Sequence, residues 1–462
     1  MSVKSFMLAL VGMVLLSTSA SATTFPCNCD AACQSIYNQS FPIDASFWVH
    51  PNITDDRFYT AYGDHTKYKP GDMLKWQDVL ASELPSQWWV PSGLSLSRFL
   101  YVSEDVDGTP IPASAYVLMP YHNPWGDDKP FRVVVWAHGT AGFTPQCAPS
   151  NDRRLQYHWQ APFTLAEQGY VVIAPDYAGQ GTTIPQGFMY NAGIPHAADV
   201  SNAVRAARQQ LPRLLTKEWV VAGHSEGGLT AWRTAQREAN PNLAAGGLLG
   251  AVSIAPALEV MTLIPWVIEQ ANGGPMHEIY VPFMLRSIAR LFPSFDLAKY
   301  LTPKLIGLSE VAMNACLNLA MPLIMNLTLP EMYLNNANFT SAPEVQEWDE
   351  RYQGKGAYKL ASPLLVFHGE ADFIIPHSHI EGIFDEQCRA FPESKAQYVR
   401  LPGLDHDGAV QGAHADWFPW IQERFEGREV EEGCKKGFVR VSGERFSSVE
   451  QAWLSGGQIL VE

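Results

Sequence analysis

Five consecutive residues, Gly223-His224-Ser225-Glu226-Gly227, form a G-x-S-x-G pattern between an apolar run at 219–222 and a helical pattern at 229–238. A strand that turns sharply into a helix at such a site strains the central residue and pushes its hydroxyl out at the end of a sheet. A serine alcohol is a weak nucleophile, so it needs a base, and the base needs a carboxylate to orient it. In doubly wound hydrolases the chain order is serine, acid, histidine. Asp372 follows the apolar run 364–367 in His368-Gly369-Glu370-Ala371-Asp372, and His406 follows the run 398–401 in Pro402-Gly403-Leu404-Asp405-His406. Ser225, Asp372 and His406 are therefore the expected nucleophile, acid and base of an acyl-transfer reaction.

Rivals stand close by. Glu370, Asp405 and Asp407 are read as loop carboxylates, His414 as a surface residue and His368 as a packed polar residue. His377-Ser378-His379 resembles a metal pair but lacks a third ligand, so it is read as a helix start, and no metal site is expected. Acyl transfer also needs N–H donors for the developing oxyanion. Glu226, directly after the nucleophile, should supply one, and Thr140 in His138-Gly139-Thr140-Ala141-Gly142 the other. That loop lacks the glycine spacing and the Lys of a phosphate cradle, and the chemistry requires no cofactor.

The elements that must hold these residues are legible as short, continuous apolar runs at 133–137, 171–174, 219–222, 248–254 and 364–367. Runs apolar at every position mark strands buried on both faces of a parallel sheet. Helical spacing lies between them, as at 196–211, which gives a doubly wound α/β fold. A hairpin at 98–103 and 113–119, turning at Asp107-Gly108-Thr109-Pro110, precedes the alternation. The interval 256–361 contains no comparable strand and reads as a helical insertion. The expected organisation is a signal at 1–22, an irregular extension at 23–96, a discontinuous core at 97–255 and 362–428, the insertion, and a tail at 429–462.

Composition narrows the function. The 462 residues are 47% hydrophobic and carry a net charge of −15, which argues against disorder and against a nucleic-acid partner. Lys4, the apolar run 6–16 and the small-residue Ala20-Ser21-Ala22 read as a secretory signal, and no later stretch is long enough to span a membrane. All seven Cys follow this signal, as do four Asn-x-Ser/Thr sequons at Asn38, Asn52, Asn326 and Asn338, so a secreted, disulfide-bonded glycoprotein is expected.

The ordered set of motifs resembles one family. Trp136-Ala137-His138-Gly139-Thr140, Gln146-Cys147-Ala148-Pro149-Ser150, Ala174-Pro175-Asp176-Tyr177-Ala178-Gly179-Gln180-Gly181, the serine motif and the two triad loops are similar to those of α/β-hydrolases of the fungal and actinobacterial secretory lipase type, typified by Candida lipase A. The resemblance covers roughly 97–434. It implies a helical cap between the sixth and seventh strands, where the insertion falls. It also guides the disulfide pairs Cys147–Cys316 and Cys388–Cys434, and leaves two of Cys27, Cys29 and Cys33 to pair locally. Glu226 departs from the Gln of many relatives and puts a carboxylate beside the nucleophile, where it could disturb His406 or the oxyanion field.

The reading is a secreted serine carboxylic-ester hydrolase, a lipase or esterase, acting on an ester or lipid substrate that could be met at a lipid–water interface. The alternatives are a deacetylase or acyltransferase on a fungal natural product, a serine peptidase on the same triad, and a silent binding protein. Seven of 13 Met (261, 276, 284, 313, 321, 325, 332) fall within the insertion, which suggests an apolar acyl site and activity that rises with acyl length until the site is full.

Overall fold

A computed structural model of the chain describes residues 29–60 and 62–440, so the secretory signal and Cys27 lie outside the described residues. Ten strands form one sheet: β1 Met73–Asp78, β2 Leu94–Glu104, β3 Pro110–Pro120, β4 Phe131–Ala137, β5 Val171–Pro175, β6 Leu215–His224, β7 Leu248–Ile254, β8 Leu364–Gly369, β9 Ala396–Leu401 and β10 Cys434–Phe438. Their order is β1-β2-β3-β5-β4-β6-β7-β8-β9-β10. β1, β2 and β3 run antiparallel, and β3 joins β5 in the same sense. From β5 through β4 to β10 every pairing is parallel.

The reason these runs become central strands is visible along β4. Val133, Val135 and Ala137 enter the core on one face, while Val134 and Trp136 enter the core on the other. Both faces are covered by helices, so no position can afford to be polar. The helix Gly193–Gln210 buries Val200, Ala203, Val204 and Ala207 in the first of these cores.

The strandless interval lies between β7 and β8 and consists of helices, among them Val281–Leu291, Pro303–Ala312 and Leu317–Ile324. The apolar stretch 311–325 is divided between the last two, where Cys316 is extended. It is the seventh and eighth strands that flank the interval because β1 adds a strand ahead of the hairpin. The extension before Ser97 is thus less irregular than expected: it contributes β1 and the helix Ala31–Phe47. The tail similarly supplies β10 at the far edge.

Asp44, on the helix Ala31–Phe47, ties that extension to the insertion. Its carboxylate accepts hydrogen bonds from the Cys316 and Leu319 amides at 2.8 and 3.1 Å, and from Asn318 Nδ2 at 2.9 Å. These amides open the helix Leu317–Ile324, where an anion meets the positive end of the helix dipole. A disulfide joins Cys316 to Cys147, and others join Cys388 to Cys434 and Cys29 to Cys33. Asn38, Asn52, Asn326 and Asn338 are all exposed. Among the described residues, no helix is long and apolar enough to cross a membrane.

Candidate active site

Ser225 directly follows β6 and begins the helix Glu226–Arg237 with φ 58° and ψ −119°. A non-glycine residue in that region costs about 1–3 kcal/mol and is held only by its surroundings. Two glycines permit the turn. A Cβ on Gly227 would lie 1.9 Å from the Ala137 carbonyl oxygen, and one on Gly223 would lie 2.2 Å from that of Gly227. Strand and helix could not approach so closely with any side chain at these positions.

Asp372 lies three residues past the end of β8 and His406 five past the end of β9, so the topology brings both to the carboxyl edge that carries Ser225. His406 Nδ1 is 2.7 Å from Asp372 Oδ2. The other carboxylate oxygen accepts the Ile374 and Ile375 amides at 2.9 and 2.8 Å. Burial alone would raise Asp372, but the charges and hydrogen bonds of His406 and His368 hold it well below the usual carboxylate range. Burial likewise works against the His406 imidazolium, and the Asp372 carboxylate outweighs it, so His406 is pushed above its ordinary value. Ser225 and His406 face one cavity of about 540 Å³, which Thr140 also lines.

The Thr140 and Glu226 amides have no hydrogen-bond partner among the described residues. Glu226 opens a helix, where free N–H groups are expected. The loop carrying Thr140 is fixed from below: the Tyr177 hydroxyl donates to the His138 carbonyl at 2.9 Å, and Thr140 Oγ1 is 2.8 Å from the Tyr190 hydroxyl.

The Glu226 side chain turns away from the chemistry into a fully buried site. Oε1 accepts the Asn191 amide at 2.7 Å and lies 3.7 Å from His196 Nδ1, while Oε2 has no hydrogen-bond partner among the described residues. Burial pushes this carboxyl up to about 8, and it pushes His196 down to about 3. At neutral pH the residue after Ser225 is therefore an uncharged acid, so the charge expected beside Ser225 is absent. The sequence could not reveal this, because burial of a side chain on the first turn of a helix depends on what packs over it.

Two histidines have roles that spacing did not suggest. His368 Nε2 lies 3.0 Å from Asp372 Oδ2 and 2.8 Å from the Ile375 carbonyl, so it braces the acid rather than merely filling space. His224, inside the serine motif, lies 2.9 Å from the Tyr157 hydroxyl through Nδ1 and 2.9 Å from the His406 carbonyl through Nε2. Burial holds it down to about 4, so it is neutral. A neutral ring accepting from Tyr157 and donating to the His406 carbonyl pins the His406 loop to the Ser225 turn. Gly139 makes room for this, since a Cβ there would lie 2.0 Å from the Tyr157 hydroxyl oxygen.

The rivals fall elsewhere. Glu370 pairs with Arg400 at 3.4 Å, and the Asp405 carboxylate accepts the Gly408 amide at 2.7 Å. His414 is half-buried rather than a surface residue, stacked on Phe418 and hydrogen-bonded to the Gln160 carbonyl. His377 and His379 begin the helix His377–Ala390. Among the described residues, His224, His406 and Asp407 place ligand atoms within 4.8 Å of one another. Both nitrogens of His224 and Nδ1 of His406 are already engaged, which leaves too few donors to hold an ion.

Of the seven Met of the insertion, Met261, Met276, Met284 and Met332 are buried in its core, while Met321 and Met325 reach the large cavity. Methionine here mostly fills gaps between helices, and its count does not mark an acyl site.

The profile of the family described as serine aminopeptidase, S33 (Hydrolase_4) matches residues 160–408, more than half of the chain. The chain belongs to this family of α/β-hydrolases. It is similar to Lipase 10 of Candida albicans, with 23% identity over 422 residues that cover 82% of this chain and 83% of the relative. A secreted triacylglycerol lipase of Malassezia globosa is 22% identical, with 84% of each chain covered. Among solved structures, Candida antarctica lipase A in its closed state superposes with a TM-score of 0.66 at 15% identity, over 83% of this chain and 88% of that one. At that identity the likeness establishes the fold.

Proposed function

We propose that the protein is a secreted serine carboxylic-ester hydrolase of the lipase/esterase class, with Ser225, His406 and Asp372 as its triad. The observation that carries the reading is the constellation at one sheet edge: a strained serine, a buried imidazole 2.7 Å from a buried carboxylate, and two unpartnered amides. Ser225 Oγ attacks the ester carbonyl as His406 Nε2 takes its proton. The tetrahedral oxyanion rests on the Thr140 and Glu226 amides. His406 then protonates the leaving alkoxide, and Asp372 keeps the imidazole in the correct tautomer. Water, deprotonated by His406, attacks the acyl-enzyme and frees the acid.

The helices between β7 and β8 serve in this reading as a cap, since Tyr280, Leu317 and Met321 wall the cavity over Ser225. Secretion is supported by the signal-like start, the disulfides and the exposed sequons. Relatives named as lipases support the ester-hydrolase class. The test is turnover of p-nitrophenyl esters by the purified protein, with Ser225→Ala as the control. Turnover that survives Ser225→Ala, or p-nitroanilides cleaved faster than the matching esters, would overturn the reading.

A further inference from the structure

We propose that the site is built for esters whose acyl group is short and whose alcohol is large and hydrogen-bonding. This rests on the ester-hydrolase reading above and narrows it. Two cavities meet at Ser225, and Tyr280 and Ile374 belong to the walls of both. The larger, about 540 Å³, also carries His406 and Thr140, whereas the smaller, about 40 Å³, carries neither.

The chemistry assigns each cavity. His406 must pass its proton to the departing oxygen, so the alcohol has to sit in the cavity that His406 lines. The acyl carbon remains bonded to Ser225 Oγ, and its chain points away from the leaving oxygen. The smaller cavity, which also opens on Ser225 but not on His406, is assigned to that chain.

Val260, Leu263, Ile264, Val267, Val281 and Ile375 give the smaller cavity mainly apolar walls, with Tyr190, Asn191 and Tyr280 beside them. Glu278 also borders it, held in place by three hydrogen bonds. Its carboxylate accepts the Tyr280 and Val281 amides, each at 2.6 Å, and the Tyr333 hydroxyl at 2.8 Å. One water-sized group needs about 10–15 Å³ of such space, so roughly three fit. Acetyl to butyryl tails fill it, and a longer chain must enter the larger cavity and compete there with the alcohol.

The larger cavity carries polar groups beside its apolar Trp48, Leu317, Met321 and Met325. Arg154 lies over the Phe47 ring, 3.3 Å from its centroid, and pairs with Asp152 at 3.0 Å. Gln156, His158 and Asp407 stand on the same wall. A cavity of about 540 Å³ with donors and acceptors spaced around an aromatic ring matches a bulky, multiply hydroxylated alcohol. Hydrolysis would break the acyl C–O bond of such an ester, and with one water would release a short carboxylic acid and the free alcohol.

The experiment measures kcat/KM of the full secreted protein on p-nitrophenyl esters from C2 to C16, and compares ethyl acetate with an acetylated disaccharide. The expected optimum lies at C2–C4, with a loss of at least tenfold by C8, and the disaccharide acetate should exceed ethyl acetate at least tenfold. Ile264→Ala combined with Val267→Ala should move the optimum to C6–C8. If that variant does not fold, Val260→Phe should lower the butyrate-to-acetate ratio by at least tenfold. An optimum at C8 or longer in the unaltered protein, or ethyl acetate as the better alcohol, overturns the assignment while leaving the hydrolase reading intact. No turnover of any ester defeats the hydrolase reading and the subsite assignment with it.

Discussion

Replacing Glu226 by Gln should stabilise the protein, and should do so more as pH rises. In the unfolded chain this carboxyl titrates near 4.5, whereas in the folded chain burial pushes it up to about 8. Below pH 4.5 both states are protonated and the group contributes nothing to the pH dependence. Between the two values the unfolded chain ionises and the folded one does not, so the native protein loses stability at about 1.36 kcal/mol per pH unit. At pH 7 the accumulated loss is roughly 3 kcal/mol, and it levels off above pH 8 near 5 kcal/mol. Glutamine removes the titration and retains an oxygen to accept the Asn191 amide, now 2.7 Å from Glu226 Oε1. Other buried acids such as Asp199 and Asp176 titrate in both proteins and cancel in the difference. The assay is equilibrium unfolding in urea of both proteins at pH 4.5, 6, 7 and 8. A stability gain of similar size at every pH would refute the reasoning, because it would place an ionised or partnered carboxylate at this site. A gain that shrinks as pH rises would refute it more directly.

Ser225→Ala, Asp372→Asn and His406→Ala should each leave a folded protein that has lost on the order of 10⁴-fold or more in kcat. Because His406 must be neutral to accept a proton and its pKa is raised above 6.5, kcat/KM should fall as pH drops through a value above 6.5; a limb below 6.5 in the unaltered enzyme would contradict the pairing with Asp372. His368→Phe deletes the contact at 3.0 Å to Asp372 and should lower kcat roughly 10- to 100-fold with KM little changed, since hydrogen bonds to charged groups contribute about 1.5–3 kcal/mol; loss of KM alone would make His368 merely structural. Replacing Cys147 and Cys316 by Ser opens a link across 169 positions and should cost up to roughly 5 kcal/mol, read as a lower urea midpoint.

Much of this molecule is legible before it folds. The strands 133–137, 171–174, 248–254 and 364–367 stand out because burial on both faces leaves them apolar at nearly every position, Ser253 excepted, a local signal needing no partner. Ser225, Asp372 and His406 stand out as candidates because each follows a strand, and a parallel sheet brings all its carboxyl ends to one edge. β1 and β10 escape the same reading because edge strands are only partly buried and their residues carry no continuous apolar run: Cys434–Phe438 reads Cys-Lys-Lys-Gly-Phe. What packs over a residue is decided only in three dimensions. Glu226 looks like a charge beside the nucleophile, and becomes an uncharged acid because residues from 191 and 196 close over it. His368 and His224 look like incidental polar residues until the fold sets one against Asp372 and the other against the His406 carbonyl. The insertion's methionines suggest an acyl site, but helix packing turns most of them inward and leaves valine, isoleucine and leucine around the smaller cavity. Composition records which side chains are available, while the direction each one faces is a property of the tertiary packing, and that direction determines how large an acyl group the site admits.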